Sequence, residues 1–553
     1  MFTRRKQIGK EGLLRGRLLR AEGLESRCML AGVVGVTLNG DTLEFRGDNQ
    51  ANEIEVRQID DPWIHRFQVI GIGTDLDKDN NGSTDALAGE ALTFDGVNNF
   101  DVQLMRNDDT FSFLEHTGGT LRSELDGNVE IVNDVGTNTN SIGSDPGAGV
   151  LIKGALTITR TDQDNIFSTT NTNLYNAEVD GTVEITTGRT TRTNNGGDST
   201  TVITDCDFGS TFAFQAREGM DVFDLQDSNI GGDTTIYTTE TTNYDDAGES
   251  VIRFTASGGE TNKVEGSLEI VTANDFNGED FVSFNSTETE SAVTIDTHDG
   301  AAQVLVQNES NLGTDLNSGP QDLTVTYDES NASQQKQFEL NDSSVQWNAY
   351  VSTSEAGRLK VTVDDSTVGE NTIGELYVTG DSGDDQVTLT DSTIGSIWST
   401  GFYADLDGGN NSIDIRRCDM SDAHVTTGGG FDTLNMMDNW ISNFSFYSTG
   451  GDDSLSIVNS KDHDHKLMDF LYTGLGGGDD QVFLENVIAK DTSIELEDGE
   501  DTLSLEAVSL LGPFTLDGGG SDDDTFRGDQ DAINDYALVA LNFEHQELIE
   551  PDP

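Results

Sequence analysis

Basic residues are scarce in this chain. Its 553 residues include 30 lysines and arginines against 101 aspartates and glutamates, which gives a formal net charge of −71. A surface of this sign repels phosphate backbones, so the composition argues against nucleic acid as a partner. Self-repulsion at this charge density also destabilises a compact chain unless cations or salt compensate it. The imbalance therefore points to cation binding or to a saline habitat.

Cysteine, proline and long apolar runs are also rare. The first and third shortages argue against a zinc site, a disulfide and a membrane-spanning helix. The 3 cysteines form no CxxC pair of the zinc-binding kind, and Cys206 and Cys418 are too far apart along a rod-shaped chain for a disulfide. No stretch of about 18 apolar residues exists, so a membrane-spanning helix is excluded. The 6 prolines beside 61 glycines are typical of many short strands joined by tight turns.

What the chain has instead is a repeat. Seven times between Gly380 and Phe526, a Gly/Asp-rich turn runs into a short strand of alternating apolar residues. The last turn residues recur at intervals of 21 to 27 residues; they are Asp385, Asn411, Asp432, Asp453, Asp480, Asp501 and Asp524. A second mark follows each of the first six, at Ser392, Cys418, Asn439, Ser460, Val487 and Val508. Periods of about 20 to 50 residues are typical of stacked structural units.

The repeat predicts an all-β chain that forms a parallel β-helix, or β-solenoid. Val387 and Leu389 alternate with polar residues, as in a half-buried strand, and a second strand such as ELYVTG from Glu375 precedes the turn. We therefore expect two short strands per coil, joined by a Gly/Asp corner and an Asp/Ser/Asn corner. Small polar residues at the second corner predict a ladder that stacks from coil to coil.

Shifts in composition divide the chain into five segments. We expect a basic export leader over residues 1–31, a β-hairpin-rich cap over 32–125, irregular coils with long loops over 126–335, regular coils with Gly/Asp turns over 336–545 and a C-terminal tail over 546–553. Phrases such as DCDFG from Asp205 and DSNIG from Asp227 resemble the later corners. They indicate that the irregular coils continue the same rod.

Grouped carboxylates beside glycine carbonyls suit Ca²⁺, which takes about six to eight oxygen ligands. The candidate ligands in the turns are Asp384, Asp385, Asp432, Asp452, Asp453, Asp479, Asp480, Asp501, Asp522, Asp523 and Asp524. GGGFDTLNM and GGGDDQVFL resemble the calcium-binding nonapeptide of RTX (haemolysin-type) proteins, which implies Ca²⁺ as a ligand. Because there is one such turn per coil instead of two facing turns, solvated acidic turns are the alternative interpretation.

A separate acidic segment, GTDLDKDNNGSTD, lies in the N-terminal part. Its oxygen-bearing side chains recur at the spacing found in calcium loops; they are Asp75, Asp77, Asp79, Asn81 and Asp85. The segment resembles the loops of EF-hand and dockerin proteins. Its glycine falls two places late and no helical pattern flanks it, so we expect a calcium-binding β-turn loop and not an EF-hand.

The N-terminus bears on location. Residues 1–31 are basic and lack the apolar run of an ordinary signal peptide. The phrase LESRCMLA, from Leu24 to Ala31, resembles the LExRxLLA leader at the start of exported and surface proteins of planctomycetes. This resemblance implies cleavage near Ala31 and a secreted or cell-surface location. A cytosolic basic tail is the alternative.

No GxSxG, HExxH, P-loop or complete GxGxxG motif occurs in the sequence. The pattern favours a non-enzymatic acidic repeat protein with a structural or adhesive role. Its expected partners are extracellular or cell-envelope components, with polysaccharide among the candidates. The alternative is a polysaccharide lyase or glycosidase built on a parallel β-helix, which needs a carboxylate pair that stands out from the repeat. A single groove of non-repeating acidic, basic and aromatic residues would favour the enzyme.

Overall fold

A computed structural model describes most of the chain that follows the expected leader. The described residues are 32–59, 65–117, 121–144, 146–161, 169–187, 198–216, 219–238, 249–272, 279–298, 300–315, 320–327, 334–354, 357–369, 374–395, 401–460, 468–520, 523–529 and 541–549. The leader over residues 1–31 and the candidate ligand Asp522 lie outside them. No helix long and apolar enough to cross a membrane occurs among the described residues.

The described residues form 53 β-strands, so the prediction of an all-β chain is confirmed. Strands β1 to β9 are Val33–Asn39, Thr42–Arg46, Glu53–Gln58, Phe67–Gly71, Asp75–Asp77, Ala91–Phe94, Asn99–Leu104, Thr110–Leu114 and Ser123–Leu125. Strands β10 to β31 are Val129–Asn133, Asn138–Ile142, Val150–Ile152, Leu156–Arg160, Thr170–Tyr175, Ala177–Val179, Val183–Thr186, Ser199–Thr204, Asp207–Phe208, Phe212–Ala216, Asp221–Gln226, Asn229–Ile230, Thr234–Thr238, Ser250–Thr255, Asn262–Val264, Leu268–Val271, Glu279–Asn285, Thr287–Thr289, Val293–Thr297, Ala301–Gln307, Asn311–Leu312 and Leu323–Tyr327. Strands β32 to β53 are Gln335–Asn341, Ser344–Val345, Ala349–Thr353, Arg358–Asp364, Thr367–Val368, Leu376–Thr379, Gln386–Thr390, Thr393–Ile394, Phe402–Leu406, Ser412–Arg416, Asp419–Thr427, Thr433–Met437, Trp440–Tyr447, Ser454–Val458, Met468–Gly477, Gln481–Glu485, Ile488–Asp498, Thr502–Glu506, Ser509–Leu510, Phe514–Asp517, Thr525–Gly528 and His545–Leu548.

These strands stack as long sheets of parallel strands in a solenoid-like arrangement. Along most of the described chain, a strand pairs in parallel with its counterparts one coil earlier and one coil later, as β43 does with β41 and β45. The antiparallel strand pairs among the described residues are β1–β2, β3–β4 and β4–β6. The hairpins therefore end at Phe94, and from β7 onward the strands pair in parallel.

The number of strands per coil differs along the chain. From β41 to β48 each coil has two strands, as the sequence predicts. In the coils on either side the prediction is wrong, because a third, short strand follows the second corner, as β39 does between β38 and β40. In the compact coil that holds β42, no loop separates the short strand from the long one, and the two merge into Asp419–Thr427.

The core is narrow and continuous. Apolar residues alternate with polar ones along each strand, so one side of every strand faces inward. The strand register aligns the inward residues Val387, Ile413, Leu434, Leu455 and Val482 in one column. A single cluster of buried apolar residues extends from Val34 to Phe526. No coil could bury this surface alone, which is why the coils depend on their neighbours.

Candidate functional site

The last residue of each Gly/Asp turn lies inside the coil. Asp480 is fully buried, and its Oδ1 accepts a hydrogen bond of 2.8 Å from the backbone N–H of Asp453, one coil earlier. The equivalent bond, from a backbone N–H to the side-chain Oδ1 one coil later, occurs at 2.7 to 3.0 Å in six further pairs. Written with the N–H donor first, they are Leu359 and Asp385, Asp385 and Asn411, Asn411 and Asp432, Asp432 and Asp453, Asp480 and Asp501, and Asp501 and Asp524. We call the seven side chains from Asp385 to Asp524 the inner ladder.

The column that holds the inner ladder reaches back to the first coil. Asn52 donates its backbone N–H to Oδ1 of Asp109 at 2.8 Å, and Asp109 donates its own to Oδ1 of Asn138 at 3.4 Å. Ser250 donates to Oδ1 of Asp280 in the same way, at 3.2 Å. All of these residues are buried. The same kind of bond therefore occurs in both the irregular and the regular coils, although Ala302 and Lys336 interrupt the column between Asp280 and Leu359.

The second carboxyl oxygen of the ladder is also buried. Oδ2 of Asp385, Asp480 and Asp501 meets no hydrogen-bond donor. Desolvation raises the pKa of Asp385 to about 7 and that of Asp501 to about 6. Desolvation raises the pKa of Asp480 to about 8, and the adjacent carboxyls of Asp453 and Asp501 add to this rise. Asp480 therefore favours the neutral acid at neutral pH, Asp385 is close to its midpoint there, and Asp501 becomes neutral only in mildly acidic solution.

Local surroundings explain why the ladder members differ. Desolvation also raises the pKa of Asp432, to about 6, but the hydroxyl of Thr427 beside it opposes the rise. Ser448 has the same effect on Asp453. In the next coil the register places Leu475 where Ser448 stands, so Asp480 lacks such a hydroxyl. Desolvation and the neighbouring carboxyls then raise its pKa above that of Asp432.

The aspartate that comes just before an inner-ladder residue faces solvent. Its side chain accepts a hydrogen bond from the later coil, whereas the inner-ladder side chain accepts one from the earlier coil. Asp452 accepts the backbone N–H of Asp479 at 2.9 Å, and Asp479 accepts that of Glu500 at 2.9 Å. Asp384 accepts the N–H of Asn410 at 2.8 Å. A pair of adjacent aspartates therefore joins its coil to both neighbours, the first side chain to the later coil and the second to the earlier one.

Glycine is required in these turns because the backbones of successive turns approach too closely to leave room for a Cβ atom. A Cβ atom on Gly451 would lie 1.5 Å from the carbonyl oxygen of Gly430, and Gly451 has φ +118. The same approach, at 1.6 to 2.0 Å, recurs between Gly409 and Gly383, Gly430 and Gly409, Gly478 and Gly451, and Gly499 and Gly478. The glycine column lets the turns stack as closely as the strands.

This geometry bears on the predicted calcium ligands of the turns. The Oδ1 atoms of Asp385, Asp432, Asp453, Asp480, Asp501 and Asp524 accept backbone hydrogen bonds inside the coil, while Asp384, Asp452, Asp479 and Asp523 are exposed. Asp523 lies 3.5 Å from the His545 ring. Within the described part of the chain, the carboxylates that come close enough together to share an ion are elsewhere, at Asp77, Asp79 and Asp85.

The N-terminal acidic loop brings those three carboxylates together within 4.8 Å. Asp77 is buried, and its carboxylate accepts the backbone N–H groups of Asp79, Asn81 and Gly82 at 3.3, 3.2 and 2.6 Å. Although burial alone would raise it, these backbone hydrogen bonds bring the pKa of Asp77 below its ordinary value. The loop therefore holds one ionised carboxylate in a fixed position beside two exposed ones.

The remaining two predicted ligands of that loop bond to backbone groups. Asp75 accepts the N–H of Ala88 at 2.9 Å, and Asn81 accepts that of Ser83 at 2.9 Å through Oδ1. Asp85 also accepts a hydrogen bond, from the N–H of Lys78 at 2.8 Å. These bonds fix the turn, and the carboxylates of Asp77, Asp79 and Asp85 stay close together.

The second corner forms the predicted coil-to-coil ladder, so that prediction is confirmed. Backbone N–H groups donate to the side chain one coil later, as Ser366 does to Ser392 at 3.2 Å and Cys418 does to Asn439 at 2.9 Å. Cys206 occupies the same position, and its Sγ accepts the N–H of Ala177. Burial raises the pKa of both thiols to about 12, so these cysteines are structural and unreactive.

An aromatic column runs along the outer face of the sheet that contains β34, β37, β40 and β42. Tyr350 stacks on Tyr377 with ring centroids 4.9 Å apart at 9°, and Tyr377 stacks on Tyr403 at 5.1 Å and 13°. The His424 ring follows at 5.9 Å but is tilted by 59°. Cross-strand aromatic pairs of this kind stabilise a sheet by roughly 0.2–1 kcal/mol each.

The column is interrupted once. The register places Ser445 next to His424, and Tyr472 next to Ser445. Around this serine lies an open hollow of about 390 Å³, lined by Tyr403, Asp422, Ala423, His424, Asn443, Phe444, Ser445, Phe470 and Tyr472. Phe470 and Tyr472 lie side by side on one strand, with centroids 6.0 Å apart and an interplanar angle of 15°. The hollow thus has an aromatic side chain on each side of a small polar one.

The sequence carries a signal for this surface that is separate from the Gly/Asp repeat. Tyr377 and Tyr472 each stand at an outward position of the strand before a Gly/Asp turn, in ELYVTG and DFLYTG. Outward positions are usually polar, so aromatic residues that recur there mark a distinct surface.

No family model matches this sequence, and neither a search of curated proteins nor a search of solved structures finds a match. The candidate sites are therefore interpreted from their own geometry.

Proposed function

We propose that the chain is a closed parallel β-helix that serves as a rigid, non-catalytic element outside the cell, with a structural and adhesive role. The observation that carries this proposal is the set of buried coil-to-coil hydrogen bonds that recurs in one column between Asn52 and Asp524. These bonds and the parallel backbone pairing, which continues through the coils of Ala302 and Lys336, hold successive coils in register. By strand spacing, a stack of this extent is roughly 80 Å long.

The distribution of carboxylates supports a non-catalytic role. Most acidic residues of the regular coils stand at repeating positions in the two turn ladders or along outward columns. Within the two turn ladders the bonding partners are backbone groups of neighbouring coils, as for Asp452 and Asp480. A catalytic pair would instead depart from the repeat.

One pair of carboxylates does depart from the repeat and favours a second candidate, a polysaccharide-active enzyme. Glu375 and Asp422 stand in one outward column with Gly401 between them, so about two strand spacings, roughly 9.5 Å, separate them. Desolvation raises the pKa of Glu375, and the charge of Asp422 adds to the rise. A carboxylic acid with a raised pKa and a second carboxylate at about this separation resemble the arrangement in inverting glycosidases. Release of new reducing ends from a polysaccharide would establish this candidate.

The location outside the cell rests on the leader resemblance at Leu24 to Ala31 and on the acidic composition. An acidic rod that meets salt outside the cell has its self-repulsion screened. We also propose that Ca²⁺ binds the N-terminal acidic loop through Asp77, Asp79 and Asp85, since three carboxylate oxygens within 4.8 Å repel one another unless a cation lies among them. The predicted ligands at the Gly/Asp turns are not part of this proposal.

The test combines shape with location. Small-angle X-ray scattering of the purified full chain is expected to give the cross-section of a thin rod. A membrane-impermeant lysine reagent applied to intact cells that express the tagged chain is expected to label it. A globular scattering profile would contradict the β-helix, and labelling only after lysis would contradict the location.

A further inference from the structure

The hollow around Ser445 is the place where the regular face of the coils fails to repeat. In the coils before it, Tyr350, Tyr377 and Tyr403 fill the outward position with rings stacked about 5 Å apart. At Ser445 the ring is missing, and at Tyr472 the next coil restores it. The sequence thus leaves out one ring from an aromatic stack.

The size of the gap follows from the strand spacing. His424 and Tyr472 lie one coil before and one coil after Ser445, so their backbones are roughly 9.5 Å apart. A flat six-membered ring inserted between them would lie one strand spacing, ~4.8 Å, from each neighbour. It would contact the Tyr472 ring on one side and, on the other, the His424 ring, which is tilted by 59° to Tyr403 and by 57° to Tyr447. Phe470 widens the wall on the Tyr472 side. We call this gap the ring slot.

Polar groups border the ring slot on one edge. Asn443 donates through Nδ2 to Oδ1 of Asp422, and its own Oδ1 is buried without a hydrogen-bond partner. His424 shares a hydrogen bond with the Ser445 hydroxyl at the floor. A ligand with hydroxyl groups could donate to the Asn443 oxygen and the Asp422 carboxylate, which an apolar ligand would leave unsatisfied.

Charge selects among ligands with hydroxyl groups. Asp422 lines the ring slot, and Glu375 stands two coils earlier in the outward column that holds Asp422. The whole chain carries a net charge of −71. An anionic ligand would be repelled by this field. A neutral ring with C–H faces and hydroxyl edges fits both the aromatic walls and the acidic edge.

We propose that the ring slot binds one hexopyranose unit of a neutral polysaccharide, held between the rings of His424 and Tyr472. The inference rests on the proposed adhesive role and supplies its ligand class. Asp422 and Asn443 accept and donate hydrogen bonds at the sugar hydroxyls, while Tyr403 and Phe470 extend the apolar walls. Because the column of outward side chains continues beyond the slot, neighbouring units of the polymer can lie along the face of the sheet.

The test is affinity electrophoresis of the full chain in gels that contain galactomannan, hydroxyethylcellulose or dextran, with polygalacturonate as the anionic comparison. Retardation by at least one neutral polymer, and none by polygalacturonate, is expected. Ser445→Tyr supplies the missing ring and is expected to weaken retardation by at least tenfold while keeping the thermal midpoint at or above that of the wild type. Tyr472→Ala removes one wall and is expected to weaken it to a similar degree.

Tyr350→Ala is the matched control, because it removes a ring of the same column that does not line the slot. Its retardation is expected to stay within twofold of the wild type. Absence of retardation in all three neutral gels overturns the slot but leaves the rod intact. Equal retardation of wild type and S445Y also overturns it, and places any adhesion elsewhere. Retardation that depends on Tyr472, accompanied by new reducing ends, keeps the slot and overturns the non-catalytic role.

Discussion

The buried carboxyl of Asp480 accepts the backbone N–H of Asp453 at 2.8 Å, from one coil to the next. This bond shows what the Gly/Asp turn does. The exposed Asp479 bonds to the later coil, the buried Asp480 bonds to the earlier coil, and glycines before them let the backbones approach. The turn therefore joins coils, and its inner acid does so inside the core.

The first prediction concerns the charge state of the inner ladder. Asp480 keeps its proton in the folded chain up to about pH 8, whereas in the unfolded chain it ionises near its ordinary value of 3.8. Between these values the folded chain binds more protons, so stability is greatest at low pH and falls as pH rises through the folded pKa. Asp480→Asn keeps the Oδ1 acceptor without the charge, as Asn411 does. It is expected to raise stability by ~2 kcal/mol or more at pH 8 and to leave it unchanged at pH 4.

Asp479→Asn is the control for that prediction, since Asp479 is exposed and its Oδ1 bond to Glu500 survives the change. Thermal midpoints measured at pH 4 and pH 8 compare the three proteins. An equal effect of both variants at pH 8 would show that general surface charge, and not the buried acid, sets the pH dependence.

The second prediction tests whether coils are interchangeable units. Deletion of residues 481–501 removes one coil of 21 residues and places Thr502 after Asp480. The ladder is then restored between Asp480 and Asp524, so the shortened chain is expected to fold and to melt cooperatively. Deletion of residues 481–491 removes only about half a coil. The remaining strands then stack against a corner of the neighbouring coil instead of against their matching strands. Circular dichroism melts are expected to show a large loss of stability for this control, and equal stability of the two deletions would contradict the stacking.

The third prediction concerns the glycine column. Gly451→Ala places a Cβ 1.5 Å from the Gly430 carbonyl oxygen at φ +118, so the turns must separate. We expect a loss of roughly 3 kcal/mol or more in urea unfolding. Gly40→Ala, at φ +67 with open space around it, is expected to cost only ~1 kcal/mol. Similar losses in both variants would mean that the close approach is not needed.

The fourth prediction separates the two sets of candidate calcium ligands. Millimolar Ca²⁺ is expected to raise the thermal midpoint of the wild type by a few degrees relative to EGTA, because an ion bound only by the folded state stabilises it. Asp79→Ala removes one carboxylate from the N-terminal acidic loop and is expected to abolish the shift. The double variant D452N/D479N keeps the turn hydrogen bonds and is expected to retain the shift. Loss of the shift in the double variant instead would locate calcium at the Gly/Asp turns.

Much of the fold could be predicted from the sequence because a stacked chain repeats its contacts. The interval between Asp432 and Asp453 is the interval of a coil, so the sequence contained the register of the strands and the position of both corners. The number of strands could not be predicted in the same way. Whether the short strand merges with the long one, as in Asp419–Thr427, depends on the loop between them and not on the repeat.

The direction of the turn carboxylates follows from the sequence only when the turn is aligned with the strand that comes after it. An aspartate in a glycine-rich turn is ordinarily solvated or bound to a cation, and nothing in the pair Asp479–Asp480 distinguishes the exposed member from the buried one. Only the position of the pair relative to the strand does so, since a residue directly before an outward Gln481 must face inward. The ring slot was missed for a related reason, because Ser445 is informative only beside the rings of adjacent coils.

Buried carboxyl groups join the coils, and several of them hold a proton in mildly acidic to neutral solution. The most direct test is the number of protons exchanged on thermal unfolding at pH 6, measured by scanning calorimetry in buffers of different ionisation enthalpy. Asp109, Asp385 and Asp480, whose pKa values burial raises to about 7, 7 and 8, hold protons in the folded chain at this pH and lose them on unfolding. We expect net release of several protons per molecule. Net uptake, or no exchange, would contradict it.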